Sequence, residues 1–151
     1  MSVKMGANRF PIDALLILDG PANVGVTKTS SGGTTSFIAL DVLTSYWAAG
    51  DVAELLDMAV VVETSAISGT LATATVTIQV APDTGAFGTP VTIAEAPVVS
   101  ATGRAVIVVD RDEIISALAG ATVGSLRAYL TLAGTSPSIT YTAYVAPLAG
   151  L

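Results

Sequence analysis

The chain has 151 residues, 52% hydrophobic and only 12% charged, with 6 basic and 12 acidic side chains and a formal net charge of −6. That length suits one domain, and an acidic balance with no basic cluster opposes binding to a phosphate backbone. Histidine and cysteine are both absent from the sequence, which excludes disulfides, thiolate and His-based metal sites, and Ser–His–Asp or cysteine nucleophiles.

Residues 1–12 read as an N-terminal arm, and 13–151 as a single domain. The apolar run at 14–18 is bracketed by Asp13 and Asp19; it is too short for a signal-peptide core and reads as a first strand. "VTKTSSGGTTS" at 26–36 is polar and glycine-rich, and it reads as a surface loop. A second strand is expected at 35–40. "GDVAELLDM", with Asp51 and Glu54 at capping-box spacing, is either a short helix or the entry to the next strand.

From there the pattern has period two. Strands are expected at 58–66, 74–80, 91–95, 104–109, 126–133 and 139–145. In 74–80, Val76, Ile78 and Val80 alternate with Thr75, Thr77 and Gln79; in 126–133, Leu126, Ala128, Leu130 and Leu132 alternate with Arg127, Tyr129 and Thr131. The runs 58–62 and 105–109 are apolar on both faces and read as central or doubly covered. Turn signals fall between the strands: "SSGG", "SGT", "APDTGAFGTP", "SATG" and "AGTSPS". In "DRDEIISALAG", Asp110 caps a short helix with Glu113 three residues on, Ile114, Ile115 and Leu118 form its apolar stripe, and Gly120 ends it. The expected class is all-β: a jelly-roll-like β-sandwich of about eight antiparallel strands with one or two short helices. No run approaches the ~20 apolar residues of a membrane-crossing helix, so no membrane partner is expected.

Candidate sites are few. In "PDTG", Asp83 is the only acid before Glu95, whereas a calcium loop needs several oxygen ligands at regular offsets. Pro82, Asp83 and Gly85 instead suit a turn. The acids of "DRDE" are accounted for by a helix cap and its dipole. No paired-carboxylate, nucleophile-elbow, Walker or dinucleotide motif is present, so neither an enzyme nor a cofactor or metal site is expected. The aromatics are the remaining candidates. Trp47 beside Tyr46 reads either as the plug of one end of the sandwich or as an exposed anchor. Tyr141 shares a face with Ile139 and Val145 and reads as core. Tyr129 and Tyr144 face the other way, toward a neighbouring subunit, and Phe87 either pins its loop or reaches a neighbour.

Three stretches carry a resemblance: "DALLIL" near the start, the strand pair "TATVTIQVAPDTGAFGTPVTIA", and the closing "SLRAYLTLAGTSPSITYTAYV", with Arg127, Tyr129, Leu130 and Leu132 as its core. In these the chain resembles the small capsid cement (decoration) proteins of short-tailed bacteriophages. The segments 20–36 and 98–124 depart from that pattern. The resemblance implies a jelly-roll subunit on the outer surface of the virion, a homo-oligomer (dimer or trimer) bound to an HK97-type major capsid protein shell that it braces against packaged DNA. Tyr46, Trp47, Phe87, Tyr129 and Tyr144 are then the candidate interface contacts. The alternative is a carbohydrate-binding jelly-roll module of the tail-fibre or adhesin type, resting chiefly on Trp47 and Tyr46.

Overall fold

A computed structural model describes residues 17–19, 25–33, 38–40, 43, 57–82, 89–121 and 124–148. Two long strands organise it. β5 (Met58–Ala81) and β8 (Ser125–Pro147) pair antiparallel along their whole length, from Met58↔Pro147 to Ala81↔Ser125. Four short strands line the far side of β8 in turn: β1 (Ile17–Asp19), β2 (Val26–Lys28), β3 (Gly32–Gly33) and β4 (Ile38–Ala39). On the far side of β5 lie β6 (Val91–Glu95), paired at Thr77–Val80, and β7 (Gly103–Val109), paired at Met58–Thr64. The eight described strands form one antiparallel sheet, and the expected all-β class is what the chain adopts.

The expected strands 58–66 and 74–80 are one strand, as are 126–133 and 139–145. The turn signals between them in the sequence, "SGT" and "AGTSPS", lie opposite one another. There the ladder shifts register between Ser68 and Thr70, where Ser68 pairs with Ser138 and Thr70 with Thr135. Gly69 and Ser136 both take positive φ, 74° and 46°. A Cβ on Gly69 would run into the Ser136 carbonyl, and one on Gly134 into that of Thr70. Extra residues on both strands thus bend the ribbon without breaking it. The bend divides the sheet into a first half (β7, the start of β5, the end of β8, β1 and β2) and a second half (β6, the end of β5, the start of β8, β3 and β4).

One buried cluster draws on both halves. Met58, Val60, Val62, Ile139, Tyr141 and Val145 come from the first; Val76, Ile78, Val80, Leu126 and Leu130 come from the second. Period-two alternation therefore feeds a common core through the bend. Tyr141 is fully buried there, as its face in the sequence implied. Residues 58–62 are buried on both faces and sit centrally between β7 and β8. The run 105–109 is not doubly covered. Ile107 and Val109 are buried, but Val106 and Val108 are 44% and 56% exposed, because β7 lies at the rim with a single neighbour among the described strands.

The expected loop at 26–36 is also partly strand. Val26, Thr27 and Lys28 pair with Tyr141, Thr140 and Ile139, and the Ser31 hydroxyl donates to the Leu132 carbonyl (2.9 Å) while accepting from its N–H (2.8 Å). The Ser31 hydroxyl thus satisfies the flank of β8 at Leu132, while Val26 packs half-buried against the main core.

Helix α1 (Arg111–Leu118) starts where expected. Asp110 is extended at φ −77°, ψ 132°, and its carboxylate accepts from the Asp112 N–H at 2.7 Å. The Arg111 N–H donates to Asp57 (3.0 Å), tying the helix start to the entry of β5. Ile114 and Leu118 are buried, but Ile115 is 38% exposed. At 100° per residue it turns off the stripe that Ile114 and Leu118 share. The left-handed exit comes one residue before the expected Gly120, at Ala119 (φ 50°). Among the described residues no helix is long and apolar enough to cross a membrane.

Candidate functional site

The outer face of the second half is a polar row. Alternation sends Val76, Ile78 and Val80 inward, which leaves Thr77 and Gln79 outward, and the register sets Thr77 opposite Tyr129 and Gln79 opposite Arg127. Glu95 of β6 stands on the other side of Thr77. The Arg127 Nε donates to Gln79 Oε1 at 2.9 Å, and its guanidinium carbon lies 5.7 Å from the Tyr129 ring centre. The Thr77 hydroxyl donates to the Tyr129 carbonyl (3.3 Å). Partial burial lowers the Arg127 pKa from its ordinary value, with the neighbouring Tyr129 raising it in part; an arginine so shifted still carries its charge. The row offers a cation, an amide and an aromatic ring held by mutual contacts.

The outer face of the first half has the opposite character. Val61, Tyr144 and Ala146 form a second buried cluster against Ile17, and the same rows continue through Ala59 to Val106 and Val108 on β7. Tyr144 is 6% exposed, and its hydroxyl donates to Glu63 Oε1 at 3.1 Å. Arg104 Nε is 4.0 Å from the same oxygen. Tyr144 is thus buried by cross-strand contacts within the chain, whereas Tyr129, half-buried on the other half of β8, lines the polar row.

Tyr46, Trp47 and Phe87 lie outside the described residues, as do Asp83 and Gly85. The strands flanking "APDTGAFGTP" pair antiparallel, Val80 opposite Val91, so this stretch joins the arms of a hairpin. In "DRDE", Asp110 caps α1 and Asp112 pairs with Arg111 at 3.2 Å. Among the described residues no group of three His, Cys, Asp or Glu side chains converges as metal ligands would. An open cleft of about 390 Å³ lies between the β5 bend and the 98–100 segment, lined by aliphatic and hydroxyl residues such as Ile67, Thr70, Leu71, Val98 and Val99.

Sequence reasoning missed two features. Gln79 as the partner of Arg127 requires a register across 48 residues. The exposure of Val106 and Val108 requires knowing that β7 is a rim strand; the visible signal was Arg104 at the same alternating position. No family model, curated protein or solved structure matches the chain.

Proposed function

We propose that the chain is a virion structural protein, a capsid cement subunit that binds the outside of an HK97-type shell and reinforces it by bridging neighbouring capsid proteins. The observation that carries this reading is the character of the surface. Val91, Val98, Val106, Val108, Ile115 and Leu148 are large aliphatic side chains more than a third exposed, on a chain with few charges to keep it apart from other proteins. Such surfaces suit burial against other chains. A brace of this kind performs no chemistry. Each subunit adds buried area across a seam between capsid proteins, and repetition around the shell multiplies a modest contact. The resemblance in "TATVTIQVAPDTGAFGTPVTIA" and "SLRAYLTLAGTSPSITYTAYV" points the same way and brings a jelly-roll topology and a homo-oligomeric state with it.

The test is cosedimentation of the purified protein with expanded HK97-type shells, followed by cryo-EM of the decorated particles. Stoichiometric binding to the outer surface is the expected result; absence of binding to any shell or virion assembly rejects the reading. A second reading, a carbohydrate-binding module, draws on Tyr129 with Arg127 and Gln79 around it, since sugars pair an aromatic face with planar hydrogen-bonding groups. A glycan array probed with the wild type and Tyr129→Ala decides it: a glycan bound by the wild type and lost in the variant supports the module.

A further inference from the structure

The two strands on the β5 side of the sheet treat their outer edges differently. β6 has five residues, with Pro90 before it, Pro97 just beyond it, an irregular register beside Ile78 and a charged Glu95. These are the devices by which edge strands avoid pairing with other chains. β7 has none of them over most of its length. Its seven residues pair with β5 in unbroken register from Gly103↔Thr64 to Val109↔Met58, and among the described residues it bonds to no other strand. Its outward side chains are Arg104, Val106 and Val108, and the two valines are about half exposed. A regular, apolar strand edge of this kind is a template for another strand.

The strand also encodes a register for its own copy. An antiparallel pair related by a two-fold axis normal to the sheet keeps outward residues outward only if the sum of paired residue numbers is even. Centring the axis on Ile107 sets Val106 opposite the second copy's Val108, and Arg104 opposite the second copy's Asp110, each twice. Arg104 and Asp110 are both exposed. The Asp110 carboxylate uses Oδ1 to cap α1, and its second oxygen is on the same group to meet a guanidinium. Centring on Val106 instead would set Arg104 against Val108 and lose both charge pairs. Complementary charges at the ends and valines between them select the first register.

We propose that two copies of the chain associate edge to edge through β7, antiparallel about Ile107, to form one sheet continuous across both subunits. The pairing belongs to the isolated protein and does not depend on binding to a shell. A seven-residue strand pair buries far less than the ~1,600 Å² of a standard interface, so the dimer is weak, with a dissociation constant on the order of 10–100 µM.

Sedimentation equilibrium of the full chain to several hundred micromolar, a few-fold above the top of that range, should show monomer–dimer exchange; a monomer throughout overturns the proposal. Arg104→Glu turns both charge pairs repulsive and should weaken the dimer roughly tenfold, while Val91→Lys on β6 should leave it unchanged; the reverse pattern overturns it. The register has its own readout, independent of those variants. The natural sequence has no cysteine, and cross-strand neighbours lie ~5 Å apart at Cβ, within reach of a short bis-maleimide. A mixture of Val106→Cys and Val108→Cys proteins should cross-link far more than either alone, and dominant cross-linking of Val106→Cys with itself overturns the register.

Discussion

Ala119 ends α1 at φ 50°, ψ 40°, with its N–H bonded to the Ser116 carbonyl at 3.2 Å. That left-handed conformation costs an L-residue about 1–2 kcal/mol, and glycine adopts it without the Cβ penalty. Ala119 is exposed, so removing its methyl forfeits little packing. After the larger unfolded-state entropy of glycine is subtracted, Ala119→Gly should stabilise the protein by about 0.5–1 kcal/mol, seen as a higher urea midpoint with an unchanged slope. A lower midpoint would show that the methyl is held by contacts worth more than its strain. The helix itself was legible because its signals are local: Asp110, two acids in the first turn and Gly120 sit within eleven residues. Its partners were not. Arg111 to Asp57 spans 54 residues and Arg127 to Gln79 spans 48; no local pattern states those distances. Tyr129 was legible as outward-facing from alternation alone, but the row that makes it part of a site needed the register of β5 on β8.

At the scale of elements, β5 and β8 differ most from their expected form. Glycine, serine, threonine and proline at 68–70 and 133–138 are the residues of turns, and each cluster read alone marks the end of a strand. Facing each other, they make a bend in a ribbon whose ladder continues on both sides. Gly69 is the tightest point, combining φ 74° with a Cβ position already occupied by the Ser136 carbonyl. Gly69→Ala should therefore cost more than the ordinary loss for a positive-φ glycine, at least about 2 kcal/mol, because strain and a backbone displacement add. Urea unfolding followed by far-UV circular dichroism measures it. Gly120→Ala is the matched control: it also has positive φ (89°), but no atom lies within 4 Å of the added Cβ. It should cost about 1 kcal/mol for the conformation alone. Equal losses at the two sites would mean that the bend yields to accommodate a side chain.

For the molecule as a whole, the decisive fact is that residues from both halves of the sheet bury into one cluster. The alternation of each strand could be read in the sequence, and with it the inward face and most of the core. Pairing could not be read, because residues 58–81 meet 125–147 only after the chain between them has been placed. The consequence for stability is specific. If the two halves were separate units joined by a flexible ribbon, a cavity in one would loosen that half alone. With a shared core, the cost is spread over both, because local opening of either half exposes apolar surface of the other. Leu130, fully buried in the second half, is the place to cut. Leu130→Ala should destabilise the protein by about 2–5 kcal/mol. In native-state hydrogen exchange the slowest amides of Val60–Val62, in the first half, should lose as much protection free energy as those of Val76–Ile78 beside the cavity. Both segments belong to the same strand, so one experiment reads both ends of the ribbon. Loss confined to Val76–Ile78 would mean two foldons meeting at the Gly69 bend, and the single core would then be a contact between units rather than the source of their cooperativity.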